Sequence, residues 1–97
     1  MKIIENSEDL KFSSGEIFIT KHLQDFFKSK NLDVKNYLDR HFRGDWGDLC
    51  KEDERLNEEA LISNDRILSA YQIGLNRIYI ITEADRSMTT VMFCEEY

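Results

Sequence analysis

The chain has 97 residues, no proline and a net charge of −6, which suits one domain with a single hydrophobic core. Hydrophobic residues make up 41% of it, too many for a disordered chain, and no apolar run approaches the roughly 20 residues that cross a bilayer. Lys and Arg supply most of the non-specific affinity of proteins for nucleic acid, so the acidic balance disfavours direct nucleic-acid binding. Residues 1–6 lack the apolar region of a signal peptide, so we expect one cytoplasmic domain over residues 1–97, without membrane association.

The acidic residues are concentrated in the middle of the chain. Residues 31–65 carry ten acidic and five basic side chains, whereas residues 1–30 are neutral and residues 66–97 carry a net charge of −1. An acidic surface of this kind suits a basic protein partner or serves solubility.

Two short strands are predicted before the first helix. Residues 2–4 have the composition of an edge strand, and residues 6–9 that of a turn. β-Branched and aromatic side chains at 16–19 follow Gly15 and predict a second strand.

Two helices follow in chain order. Thr20 is a suitable N-cap for a helix over residues 21–29, which Asn31 can end in the left-handed conformation. Asp33 is the N-cap of a second helix, and Gly44 stands where a glycine ends one. The second helix has a continuous apolar stripe formed by Val34, Tyr37, Leu38, His41 and Phe42.

A third helix is predicted to begin at Asp45, with Asp48 acting as the acid of a capping box, or one turn later with Asp48 itself as the N-cap. It extends to about residue 62. We predict that its buried face carries Leu49, Leu56 and Ala60.

From residue 66 the hydrophobic period changes from about 3.6 to 2. Strands are predicted over residues 66–73, 77–82 and 89–94, joined by turns at 74–76 and 83–87. We therefore predict an α+β fold with two layers, in which three helices pack on a three- to four-stranded antiparallel sheet formed mainly by this C-terminal meander.

Three segments of the chain resemble a family of short bacterial proteins from plasmids and mobile elements, often labelled "plasmid-related protein". They are HFRGDWGDLCKEDERLNEEAL, RILSAY and IYIITEADRSMTTVMFCEEY. The likeness is close over residues 41–97 and looser over residues 15–27; many members end in Pro-Glu-Glu-Tyr, where this chain has Cys94. The resemblance implies a mobile-element origin and an intracellular location, but no activity.

A metal site is one hypothesis for the segment after the second helix. Carboxylates at Asp45, Asp48 and Glu52, with Asp53 and the imidazole of His41, could bind a divalent cation and activate a water molecule. The spacing matches no known metal motif, and both aspartates also suit helix caps, so we favour capping and a histidine at the edge of the core.

An interaction surface is the second hypothesis. Trp46, between two glycines, is either folded onto the core, which we favour, or an exposed interface residue that Arg43 would join. The acidic residues beyond it form either a solvated helix face or a binding face: Glu52, Asp53, Glu58 and Glu59.

The turn at residues 83–87 is a third candidate. Arg86 and Ser87 could hold a phosphate or carboxylate with the hydroxyls of Thr89 and Thr90. The interpretation that we favour is a polar turn in which Asp85 accepts a backbone hydrogen bond and Arg86 pairs with an acid.

These patterns predict no catalytic residues and no cofactor. The favoured function is a non-enzymatic protein-interaction module, an acidic accessory protein of a mobile element that modulates a nucleic-acid-handling or defence enzyme. The alternative is a small metal-assisted hydrolase that uses Asp45, Asp48 and Glu52. Apolar residues on both faces of the strand over residues 66–73 would also allow a homodimer through the second face of the sheet.

Overall fold

The computed structural model describes residues 10–97, so the strand predicted over residues 2–4 and the turn over residues 6–9 lie outside the described part. A short 3₁₀ turn at Cys94–Glu96 follows the last strand. The other elements are, in order, β1 (Glu16–Ile19), α1 (Lys21–Ser29), α2 (Val34–Phe42), α3 (Lys51–Ser63), β2 (Ile67–Ile73), β3 (Asn76–Thr82) and β4 (Met88–Phe93).

The strands form one four-stranded sheet in the order β1-β4-β3-β2. The meander of β2, β3 and β4 is antiparallel, which confirms the predicted α+β fold. One strand pair departs from the prediction, because β1 runs parallel to β4. Parallel neighbours need a long connection between them, and here three helices and two strands supply it.

The core lies between one face of the sheet, which we call the helical face, and helices α1 and α2. Both helices contribute through the apolar stripes that their sequence predicts. The buried residues of this cluster are Leu23, Phe27, Leu38, Phe42, Tyr71, Ile78, Ile80 and Val91. The opposite side of the sheet, which we call the open face, carries the alternate residues of each strand.

All three helices end in the same way. A residue with positive φ follows each helix, and the next backbone N–H returns to the last turn, as in a Schellman motif. In α1 the positive-φ residue is Asn31, in α2 Gly44 and in α3 Asn64. The predicted ends at Asn31 and Gly44 are therefore confirmed.

The N-caps predicted from the sequence agree less well with the structure than the predicted helix ends do. Asp33 caps α2 as predicted, because its Oδ1 accepts a hydrogen bond from Lys35 N at 2.9 Å. Thr20 has the N-cap position of α1 but makes no side-chain cap bond. Its hydroxyl instead donates to Glu96 Oε1 at 2.8 Å, joining α1 to the C-terminal 3₁₀ turn.

The start predicted for α3 was wrong. The helix begins at Lys51 with Cys50 as its N-cap residue, so neither Asp45 nor Asp48 caps it. The segment before it is extended because Gly47 forms a parallel β-bridge with Ala70 at the edge of β2. Backbone pairing with β2 therefore determines the conformation of the segment for which the sequence predicts the first helical turn.

None of the helices within residues 10–97 combines the length and the apolar character that crossing a membrane requires.

Candidate functional site

Trp46 anchors the segment between α2 and α3, and its side chain is only 4% exposed. Its Nε1 donates to Glu58 Oε2 at 2.8 Å. The indole packs with Ala60 of α3 and Ile67 of β2, and its ring centroid lies 6.2 Å from that of Phe12. Trp46 thus fastens α3 to the sheet, as the favoured interpretation predicts, and offers little surface to a partner.

Most backbone groups on the outer edge of β2 are paired within the molecule. Asn57 of α3 donates from Nδ2 to Leu68 O at 2.8 Å and accepts from Leu68 N at 3.2 Å. Ala70 N donates to Trp46 O, and Asp48 N donates to Ala70 O. The Asp48 carboxylate accepts from Gln72 N at 2.8 Å. Since edge strands template pairing with other chains, these contacts close this edge.

The acidic face of α3, defined by Glu52, Asp53, Glu58 and Glu59, is exposed. The guanidinium of Arg55 pairs with Glu52 and Glu59, and the hydrogen bond from Arg55 lowers the pKa of Glu52. The helix as a whole carries five acidic and two basic side chains, a net charge of −3.

The predicted buried face of α3 is only partly correct. Ala60 is buried, but Leu49 precedes the helix and Leu56 is 49% exposed. Because α3 starts at Lys51 and lies at the edge of β2, Asn57 takes the buried position against the backbone of Leu68. Leu56 and Ile62, the latter 86% exposed, add apolar surface beside the carboxylates.

A groove of about 350 Å³ opens between α3 and the open face of the sheet. Its apolar and aromatic lining comes from Leu49, Leu56, Leu68, Tyr79 and Tyr97, and its polar lining from Asp53, Asn57, Arg66 and Arg77. Concave sites that bury apolar groups and orient them with a few polar groups are typical binding sites. The groove adjoins the acidic face of α3, so the two form one continuous surface.

Arg66 and Tyr97 build one end of the groove. Arg66 Nη1 donates to the Tyr97 hydroxyl at 2.6 Å, and its guanidinium carbon lies 5.1 Å from the centroid of the ring. The ring of Tyr97 meets that of Tyr79 edge-on at 5.8 Å. These contacts hold the terminal aromatic ring against the open face of the sheet.

Arg77 lines the groove beside the segment that precedes α3. Its Nη2 donates to Asp48 O at 3.0 Å. The guanidinium therefore links β3 to the loop that closes the edge of β2, and it adds positive charge to a groove whose outer wall is acidic.

His41 lies under the helical face of the sheet in a series of hydrogen-bonded polar groups whose side chains are fully buried. Its Nδ1 is 2.6 Å from Ser69 Oγ, and its Nε2 is 2.9 Å from Thr82 Oγ1. Thr82 Oγ1 lies 2.7 Å from Thr89 Oγ1, which donates to Ser14 O at 2.8 Å. Within residues 10–97, no buried side-chain N or O atom lacks a hydrogen-bond partner.

The direction of each hydrogen bond in this chain follows from Ser14 O, which can only accept. Thr89 uses its one proton there, so Thr82 must donate to Thr89. Thr82 then has no second proton, so His41 Nε2–H donates to Thr82. Because burial lowers the pKa of His41, the imidazole carries only this proton, and Nδ1 accepts from Ser69. His41 is therefore the neutral Nε2–H tautomer.

Burial, together with the smaller effect of the positive charge of Arg86, lowers the pKa of His41 to about 3. A neutral, buried imidazole surrounded by hydroxyl groups has no access to solvent or substrate. His41 therefore has a structural role, and it lies inside the core rather than at its edge.

The turn between β3 and β4 is polar as predicted, but within residues 10–97 Arg86 pairs with no acid. Asp85 Oδ1 accepts from Ser87 N at 3.0 Å. The guanidinium of Arg86 donates to three backbone carbonyls, those of Ala60, Asp65 and Glu83. Arg86 thus caps the C-terminus of α3, and both its Nη1 and its Nη2 bind the protein itself.

The carboxylates of the metal hypothesis do not converge. Asp45 pairs with Arg40 Nε at 2.7 Å, and that hydrogen bond lowers its pKa. Asp48 binds the backbone of β2, and Glu52 pairs with Arg55. In the described part of the chain, no group of three or more His, Cys, Asp or Glu side chains could hold a metal ion.

Arg43 lies apart from the groove. Its Nε donates to Asp39 Oδ1 at 2.8 Å, one turn back in α2. Because Trp46 is buried, the two side chains do not form the exposed pair that the interface hypothesis requires.

The groove was not anticipated from the sequence, although one signal for it was present. Arg77 and Tyr79 alternate with the buried Ile78 and Ile80, so their side chains had to lie on the opposite face of the strand. That α3 would lie beside that face could not be read from strand periodicity.

Comparisons of this chain with protein-family models, with curated proteins and with solved structures find no match. Its relation to the plasmid-related proteins therefore stays a prediction from the sequence motifs.

Proposed function

We propose that this chain is a small acidic protein-interaction module, and that it binds its partner through the acidic face of α3 and the adjoining groove. The observation that carries the proposal is the combination of an apolar concave surface with a rim of exposed carboxylates on one side of the molecule. In line with the sequence resemblance, the module would be an accessory protein of a mobile element.

The chemistry of the surface defines the partner. A helix with a net charge of −3 favours a basic protein surface and speeds its approach. The exposed side chains of Leu56 and Tyr97, with half-buried Tyr79, would receive an apolar or aromatic side chain from the centre of that surface. A nucleic-acid-handling enzyme offers such a basic surface, so it is the class of partner that fits best.

The test uses a double variant, Asp53→Lys with Leu56→Glu, which changes the charge and the apolar wall of the groove together. Among residues 10–97, neither side chain has a hydrogen-bond or ion-pair partner, so the variant should fold. A matched control, Asp25→Lys with Leu75→Glu, makes the same changes on exposed residues of α1 and the β2–β3 turn.

Chemical cross-linking in a host lysate, at low and at high salt, compares the two variants with the unchanged protein. We expect specific partners to be captured by the unchanged protein and by the control, to be lost with the double variant, and to weaken at high salt. Identical capture by all three proteins would contradict the proposal.

A further inference from the structure

The two edges of the sheet differ in how many of their outward backbone groups have hydrogen-bond partners. The outer edge of β2 is closed by Asn57, Asp48 and the backbone around Gly47. The other edge is β1, whose one neighbouring strand within residues 10–97 is β4. The backbone N–H and C=O groups on its other side therefore have no strand to pair with.

The hydrogen bonds to β4 identify these outward groups. Glu16 N donates to Ser87 O at 3.0 Å, and Thr20 N donates to Val91 O at 3.1 Å. Alternate residues of a strand direct their backbone groups to opposite sides, so Ile17 and Ile19 direct theirs outward. Within residues 10–97, one group reaches this edge, the amide of Gln24, at 3.3 Å from Ile19 O.

The side chains of β1 leave this edge apolar as well as open. Ile17 is 39% exposed and Phe18 is 48% exposed, on opposite faces of the strand. Natural proteins usually protect such edges with charges, proline or a covering segment, because an exposed apolar edge pairs with other chains.

We propose that β1 pairs with β1 of a second copy of this chain in the antiparallel direction, so that two four-stranded sheets become one eight-stranded sheet about a two-fold axis. This is strand addition at an open edge, a common mode of association. It uses no residue of the groove or of the acidic face of α3.

One register satisfies all the outward groups. If Ile17 lies opposite Ile19 of the second copy, the backbone N–H of each residue donates to the C=O of the other, which gives two hydrogen bonds. The two-fold axis repeats this pair, so the interface has four. One of these four hydrogen bonds would replace the long one that the Gln24 amide donates to Ile19 O. Phe18 then faces Phe18 of the second copy as a non-hydrogen-bonded pair, in which side chains approach most closely.

The charges at the ends of β1 favour the antiparallel direction. It places Glu16 opposite Thr20 of the second copy and beside its Lys21, so an acid meets a base at both ends of the pair. Parallel pairing in register would place Glu16 beside Glu16. Because the charges of β1 complement those of another β1 in the antiparallel direction, the partner at this edge is a second copy of this chain.

An interface of four residues per chain is small, so the association should be weak. The net charge of −6 on each chain opposes it, and added salt should therefore strengthen the dimer. Binding through the acidic face of α3 should instead weaken with salt, so the two proposals fail independently.

Sedimentation from about 1 µM to about 1 mM protein, at low and high salt, measures the association. We expect a reversible monomer–dimer equilibrium that Phe18→Lys weakens about tenfold or more, because it places two like charges face to face. The control Leu75→Lys, at a fully exposed turn residue, should leave the equilibrium unchanged. A protein that stays monomeric throughout would overturn the proposal, including the case in which residues 1–9 occupy the edge instead.

Disulfide cross-linking tests the register. In a background of Cys50→Ser and Cys94→Ser, F18C should form a disulfide-linked dimer under mild oxidation, because the non-hydrogen-bonded pair brings the two thiols together. I17C and L75C should cross-link much more slowly. A dimer that forms without cross-linking of F18C, or that survives Phe18→Lys, would show that a different surface mediates it and would contradict the proposal.

Discussion

Nδ1 of His41 lies 2.6 Å from Oγ of Ser69, and both residues are completely buried. This contact begins the polar chain that runs through Thr82 and Thr89 to the carbonyl of Ser14. The chain joins α2, β2, β3 and β4 to the segment before β1. A neutral imidazole is therefore part of the packing of the whole domain.

The burial of His41 predicts that the protein loses stability in mild acid. The pKa of His41 is about 3 in the folded protein and about 6.5 in the unfolded chain, so the unfolded chain binds a proton first as the pH falls below 6.5. Between pH 6.5 and 5, protonation of His41 in the unfolded chain should lower the free energy of unfolding by about 2 kcal/mol. Chemical denaturation at several pH values measures the slope.

His41→Gln tests whether the slope belongs to this residue. The variant should be less stable at neutral pH, but its stability should change less between pH 7 and 5. An equal slope in both proteins would contradict the assignment. Long-range ¹⁵N–¹H NMR provides an independent measurement, because it should show His41 as the neutral Nε2–H tautomer over this range, with exposed His22 as a reference signal.

Asn57 closes the edge of β2 opposite Leu68, and Asn57→Ala should be strongly destabilising. The substitution leaves the N–H and C=O of Leu68 without their partners at a partly buried position, which should cost about 2–4 kcal/mol. Gln24→Ala removes an amide of similar chemistry from the exposed edge of β1, so it should cost less than about 0.5 kcal/mol. Urea denaturation of both variants checks the difference.

Glu58 and Glu59 are neighbours on α3, yet charge reversal should affect them differently. Glu58 accepts from Trp46 Nε1, so Glu58→Lys leaves the buried indole N–H unpaired and should cost about 1–3 kcal/mol. Glu59→Lys loses only an exposed pair with Arg55, and should cost at most about 0.5–1 kcal/mol.

The fluorescence of the single tryptophan reports on this difference directly. Its emission should shift to longer wavelength in Glu58→Lys and stay unchanged in Glu59→Lys. Equal stability of the two variants would mean that the Trp46–Glu58 contact contributes nothing to the fold.

Gly47 and Gly74 both have positive φ, +77° and +60°, but only Gly47 lacks room for a side chain. A Cβ at Gly47 would lie 2.1 Å from Ala70 O, whereas at Gly74 nothing lies within 4 Å. Gly74→Ala should cost about 1 kcal/mol for the conformation alone. Gly47→Ala should cost several times more or prevent folding, because the backbone bridge to Ala70 must shift. Thermal unfolding of the pair separates the two contributions.

The local patterns in the sequence predicted most elements and several of their ends. Strand β1, the range of α1, the apolar stripe of α2 and the three C-terminal strands agree with the structure. Asp33, Asn31 and Gly44 have the roles that their positions predict. Each of these features depends on residues within one turn of helix or two positions of a strand, so the information lies in neighbouring side chains.

Features that depend on distant partners were predicted less well. Asp45 and Asp48 have the composition of helix caps, but Arg40 and the backbone of Gln72 bind them instead. Leu56 fits the apolar period of α3, yet it lines a groove because the helix lies beside the sheet edge.

The sequence by itself determined the fold class, the alternation of each strand and the acidic character of α3. The tertiary structure decided that β1 joins the sheet in the parallel direction, that Trp46 is fixed by Glu58, and that one sheet edge is closed while the other is open. The physical reason is that a polar side chain or backbone group can be satisfied by several partners, and only the assembled chain shows which of them is within hydrogen-bonding distance.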